Sequence, residues 1–296
     1  MKRLHLSGGM LVFLGAVFWS LNSPLVKYLS LSSFLICGLR SVIAAVALCP
    51  LLRPRQLNWN GWMILYVVSY AGLCLSIIMA LSMTAAPIAI GMQYTSIIWL
   101  FLVRLLKTRR FDTRAFIPVL VICVGVVFFM CSGGDSSSQL GNLIALVEGV
   151  FFACMTVGSK KAAGTNPVGL TAVANTFTGA VVFLLFPGAL AGLKTMTGTE
   201  WLIMLVLGVV QVGGGYAFYN LGVQKVSAQK ASIIALWEMI LGPIWVALFL
   251  KEYPSLIVLI GFVIILAGML LDSLLNSSGS CDTHRNGARQ DGALCK

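Results

Sequence analysis

The sequence predicts an all-α polytopic membrane protein, with ten transmembrane helices arranged as two inverted five-helix repeats. Three observations carry this. Of 296 residues, 59% are hydrophobic and 10% charged, with a mean hydropathy of +0.96, whereas a soluble globular chain carries about 25% charged residues. The apolar residues form ten unbroken runs, near 8–29, 33–52, 61–82, 86–105, 114–132, 140–159, 167–190, 200–222, 229–250 and 254–275. Each is close to the ~20 residues a spanning helix needs, and none shows the short alternating pattern of a membrane strand. Finally, the polar stretch from Ser132 to Gly141, SGGDSSSQLG, reads as a linker and divides the runs five and five. An odd number of spans per half brings the second half into the membrane upside down.

Taken in order, residues 1–7 form a short cytoplasmic N-terminus. Lys2 and Arg3 precede the first apolar run in the manner of a signal peptide, but the run is too long and no small-residue cleavage site follows it. It is therefore the first span. Residues 8–132 make the first repeat, 133–139 an external linker and 140–275 the second repeat. The polar tail, 276–296, has few apolar residues and is expected to be disordered in the cytoplasm. With the N-terminus inside, every Lys and Arg falls in an inner loop or terminus except Lys27, Arg40, Lys194 and Lys251. This bias follows the positive-inside rule and puts both termini in the cytoplasm. The net charge of +11 is thus a topology signal, and nucleic-acid binding is excluded.

Two segments support duplication. AVFWSLNSPLVK, Ala16 to Lys27, aligns with GVFFACMTVGSK, Gly149 to Lys160, and PVLVICVGVVFF from Pro118 aligns with GFVIILAGMLLD from Gly261, setting Gly125 opposite Gly268. Inverted repeats recur in secondary transporters, whose substrate sites lie near the midplane between the halves. Small residues at Ala145, Gly149 and Ala153, and at Gly261 and Gly268, allow close helix approach. Pro24, Pro118, Pro243 and the glycines 213–215 are the expected bending points.

The basic residues Lys27 and Lys160 ending spans one and six, Arg40 in span two, and WEMILGPIWVALFLKEYPS followed by LIGFVIILAGMLL (residues 237–255 and 259–271) resemble the EamA branch of the drug/metabolite transporter superfamily. The resemblance covers two units, roughly 8–132 and 140–275. The first unit departs from the pattern: Thr95 stands near the position answering to Glu238, and the basic run Lys107 to Arg110 replaces the loop acid Glu252. The resemblance implies a ten-helix carrier of the bacterial inner membrane, usually a metabolite or amino-acid exporter, with substrate in a central cavity.

Glu238 is the first functional suspect. It lies near the middle of span nine, where a charge costs roughly 3 kcal/mol on insertion scales and is kept only beside water or a partner. Glu148 in span six and Arg40 in span two lie at similar depth, so the Arg is expected to neutralise one carboxyl and leave the other free to carry protons. Exchange or facilitated diffusion fits as well. Both histidines, His5 and His284, are terminal. Trp19 with Asn22, Tyr66 with Tyr70, Gln93 with Ser96, Asn175 with Thr178, and Gln211 with Gly215 and Tyr219 share helix faces by spacing, and these faces are candidates to line the cavity. Trp237 points about 100 degrees from Glu238.

No catalytic residue, cofactor or metal site is expected. Cys37, Cys49, Cys74, Cys123, Cys131 and Cys154 lie in or beside spans without metal-ligand spacing, and Cys281, His284 and Cys295 are too few for zinc. A membrane-embedded enzyme would need paired acidic metal motifs or a His cluster, and a channel a charged ring. A sugar-phosphate or nucleotide-sugar exchanger of the same superfamily is the alternative, but it would place several basic residues in the cavity. The expected partners are a small neutral, zwitterionic or cationic solute and membrane lipid, with a homodimer left open.

Overall fold

The computed structural model describes residues 7–52, 57, 59–132, 136–162, 166–223, 225–226 and 228–291. Expectations resting on Lys2, Arg3, His5, Arg53, Arg55, residues 133–135 and 292–296 lie outside these residues, as do the side chains of Lys160, Cys281 and His284. Among the described residues all regular structure is helical. Ten helical segments are long and apolar enough to cross a membrane: Gly8–Tyr28, Ser33–Leu51, Gly61–Met83, Ala86–Thr108, Thr113–Met130, Ser138–Ser159, Val168–Leu185, Gly198–Tyr219, Ile233–Leu250 and Leu256–Leu275. They are called spans one to ten below. Short polar residues begin several of them: the Ser7 and Ser32 hydroxyls and the Asn60 side chain each accept a first-turn backbone N–H, satisfying donors that a helix start leaves open.

Three spans are interrupted. Span one breaks at Leu21 between helices Gly8–Ser20 and Asn22–Tyr28, because Pro24 has no N–H to offer the Ser20 carbonyl one turn back. Span four breaks at Tyr94 and Thr95 between Ala86–Gln93 and Ser96–Thr108; the Thr95 hydroxyl donates to the Met92 carbonyl at 2.7 Å, competing with the helix ladder. Span eight contains a π-helical stretch, Val206–Gly214, ending on the glycines expected to loosen it. Pro118 and Pro243, also expected as bending points, lie inside continuous helices.

Three boundaries differ from expectation. Span seven stops at Leu185 rather than near 190 because Pro187 forces its predecessor Phe186 out of helical geometry, and a short 3₁₀ helix, Pro187–Lys194, follows. The helix containing span six begins at Ser136, inside the stretch read as linker, since its polar first turn can lie beyond the hydrocarbon. The last helix continues to Asp291, past residue 275 where regular structure was expected to end; extending a helix already nucleated in a packed span costs far less than starting one.

The spans pack in pairs: third on sixth, first on eighth, fifth on tenth, second on seventh, first on ninth, fourth on sixth, second on eighth and third on seventh. Exchanging spans one to five with six to ten, in order, maps this set onto itself, so the packing treats the two halves as equivalent. Bulky apolar residues such as Val124, Val127, Leu184, Leu248, Leu256 and Val263 are exposed on the outside, as lipid contact requires, while polar side chains gather inside.

The fifth and tenth spans approach closely through glycines. A Cβ on Gly125 would meet the Gly261 carbonyl oxygen at 2.9 Å, and one on Gly261 would meet that of Gly125 at 3.0 Å. Gly125→Val therefore has to separate two backbones, and overpacking of this kind costs about 1–3 kcal/mol or more. A lowered thermal unfolding temperature in detergent is the expected result. An unchanged value would show that the crossing tolerates a side chain.

Candidate functional site

Arg40 lies at the centre of the polar interior. It is 3% exposed, and its Nη1 donates to Asn22 Oδ1 at 2.6 Å and to Gln211 Oε1 at 3.5 Å. The breaks in the fold position both acceptors: Asn22 begins the outer piece of span one, and Gln211 sits in the π-helical turn of span eight. The Cys74 side chain of span three lies close to Arg40 and Tyr70. Asn175 of span seven donates from Nδ2 to the Tyr70 hydroxyl and to the Thr171 carbonyl, both at 2.9 Å. Thr178 bonds back to Ala174 within its own helix.

Aromatic rings wall this interior. Trp19 packs edge-on against Tyr216 at 4.9 Å and tilted against Tyr219 at 4.7 Å, and Tyr216 reaches Tyr70 at 5.9 Å. Gly215 makes room for the indole, since a Cβ there would meet Trp19 Cδ1 at 2.5 Å. Trp237 instead points away to Phe13 and is 44% exposed, as its angular separation from Glu238 predicts.

The carboxyls stand apart from Arg40. Glu238 is half-buried and accepts from the Tyr94 hydroxyl at 3.5 Å. Glu148 is fully buried, and neither of its oxygens has a partner among the described residues. Ion pairs join Lys27 to Glu252 and Arg104 to Asp112. The expected pairing of Arg40 with a carboxyl is therefore corrected: two amide oxygens take its Nη1, while Nε has no partner among the described residues, because the break in span one and the wide turn in span eight bring the amides nearer than either acid. Gln93 is buried beside Tyr94 but takes no part in the Arg40 or Tyr70 hydrogen bonds above.

Sequence reasoning missed Tyr94, Tyr216 and the Lys27–Glu252 pair. Tyr94 faces Glu238 only because span four breaks beneath it. Tyr216 enters the wall because π-helical i→i+5 bonding shifts the register assumed for Gln211, Gly215 and Tyr219. Lys27 Nζ meets Glu252 Oε2 at 2.8 Å, joining the ends of spans one and nine on the membrane face opposite the N-terminus. The Trp245 Nε1 to Ser20 Oγ bond, 3.0 Å, lies deeper along the same seam. Among the described residues no group of three or more His, Cys, Asp or Glu is placed to hold a metal.

Ten helices able to cross a membrane, around a buried polar and aromatic interior, define a multi-pass membrane protein. Residues 139–274, just under half of the chain, match the EamA-like transporter family, a likeness that supports a membrane transporter of the drug/metabolite transporter superfamily. The first half lies outside the match. No curated protein matches the chain in sequence. Among solved structures 22 chains match; one crystal structure, 16% identical, superposes with a TM-score of 0.63 over 90% of this chain and 97% of its own, a likeness of fold alone.

Proposed function

We propose that this protein is a secondary transporter that exports a small amine-bearing or zwitterionic metabolite by alternating access, with Glu238 coupling the movement to protons. The observation that carries the reading is the half-buried Glu238, held by Tyr94 of the opposite half in a site walled by aromatic rings. A carboxyl there can exchange protons whenever the interior opens to water, and no histidine lies in the spans to do so instead. The exchangeable packing of the halves supports rocking of one inverted unit against the other. Both termini then lie in the cytoplasm of a plasma-membrane protein, as the placement of basic residues requires. The interior holds two acids to the one base Arg40, a balance that disfavours phosphorylated sugars.

Proteoliposomes loaded with labelled amino acids, polyamines or organic cations test the reading, with and without a pH gradient. Wild type is expected to accumulate a substrate against its concentration only under the gradient. Glu238→Gln is expected to lose that response while retaining downhill flux. If the variant keeps the response, Glu238 does not carry the proton.

A further inference from the structure

Glu148 is the buried charge that these contacts leave unexplained. It is 0% exposed, and both carboxylate oxygens lack a partner among the described residues, an expensive state at membrane depth unless a ligand completes it. A Cβ on its next residue, Gly149, would meet the Thr95 hydroxyl and the Met92 carbonyl, so span six packs closely on the break in span four. Phe152, one turn along the same helix face, meets the Tyr94 ring edge-on at 6.0 Å. Tyr94 in turn donates to Glu238. It therefore stands between the face of span six that bears Glu148 and the carboxyl of span nine.

Formal charge identifies what is missing. The interior holds two acids, Glu148 and Glu238, and one base, Arg40. The other titratable groups facing them are Tyr66, Tyr70 and Cys74 from span three, Tyr94 from span four and Tyr216 and Tyr219 from span eight. None can supply a positive charge. When both carboxyls are ionised, one monovalent cation makes the set neutral.

We propose that Glu148 and Glu238, with the Tyr94 ring beside them, hold the ammonium group of an organic monocation. An ammonium offers N–H donors to oxygens that lack them, and an aromatic face favours a cation placed over it. This rests on the transporter reading in taking the same interior as the transport site, and it adds Glu148 as the residue that selects an amine over its neutral or zwitterionic analogue.

The test uses the purified full-length protein in detergent. Tryptophan fluorescence measures equilibrium binding of 2-phenylethylamine, 2-phenylethanol and phenylalanine to wild type, Glu148→Gln and Glu148→Asp, with folding checked by size exclusion. Wild type is expected to prefer the amine over the alcohol by at least about tenfold, because charge-assisted hydrogen bonds are roughly twice as strong as neutral ones. Glu148→Gln is expected to erase that preference by weakening amine binding, and Glu148→Asp to recover part of it. An amine preference that survives in Glu148→Gln, or a wild type that binds all three alike, overturns the proposal. If Glu148→Gln does not fold, the wild-type ratio and the Asp variant decide. The same compounds in proteoliposomes separate the two readings. Amine binding without flux overturns transport and leaves the site standing, whereas flux without amine preference overturns the site and leaves transport standing.

Discussion

Arg40→Leu is expected to be the most damaging single change in the interior. It removes the donor shared by Asn22 and Gln211, and a buried polar group left unsatisfied costs about 1–3 kcal/mol. It also leaves Glu148 and Glu238 with no basic counterpart in the interior. The protein is expected to lose its sharp thermal unfolding transition in detergent or to fail to elute as a single species. Arg40→Lys keeps the charge but offers a single ammonium where a planar fork spanned two acceptors, so an intermediate loss is expected. The double variant Arg40→Leu, Asn22→Leu discriminates the cause. Replacing Arg40 and Asn22 by apolar groups removes one of the two orphaned acceptors and leaves Gln211, so part of the stability lost in Arg40→Leu should return. A single variant as stable as wild type would show that the guanidinium is not what holds spans one, two and eight together.

Reversing the charge of Lys27 is expected to open the membrane face opposite the N-terminus. Lys27 is 13% exposed and Glu252 53% exposed, so the pair contributes little to stability, yet it lies where spans one and nine meet. Beside it, Ala86, Pro243, Val246 and Glu252 line a small cleft. The aligned positions in the other unit are Lys160 and the basic run Lys107 to Arg110, where no such pair can form; Asp112 there pairs with Arg104 of its own unit. Among the described residues, one face is therefore joined between the units by an ion pair for which the aligned positions on the other face show no counterpart. In a background without native cysteines, a cysteine at Val246 reports access to a membrane-impermeant maleimide. Lys27→Glu is expected to raise its reactivity roughly three- to tenfold, in keeping with the ~1 kcal/mol or less of an exposed pair plus the added repulsion. Combining it with Glu252→Lys should restore the wild-type rate. Unchanged reactivity, or no restoration by the exchange, would reduce the pair to a surface contact.

The ten spans, the division of the apolar runs and the depth of Arg40, Glu148 and Glu238 were legible in the sequence because the bilayer imposes them locally. A run of about 20 apolar residues has one stable conformation in hydrocarbon, and the position of a polar residue in that run sets its depth. Pro24 marked the break in span one and the glycines at 213–215 the loosened turn in span eight for equally local reasons. The break at Tyr94 and Thr95 had no such mark, since it involves the tertiary contact with Gly149 as well as the Thr95 hydroxyl.

Composition and residue order thus determined by themselves that this chain is a ten-helix membrane protein with a polar interior, and which side chains lie at its midplane. Only the tertiary structure decided their partners. Arg40 turned from the acids to two amides, Tyr94 turned to Glu238, and Glu148 was left unmatched. Partner choice among groups at one depth depends on the rotation and local winding of each helix, differences of about an ångström that a hydropathy pattern does not encode.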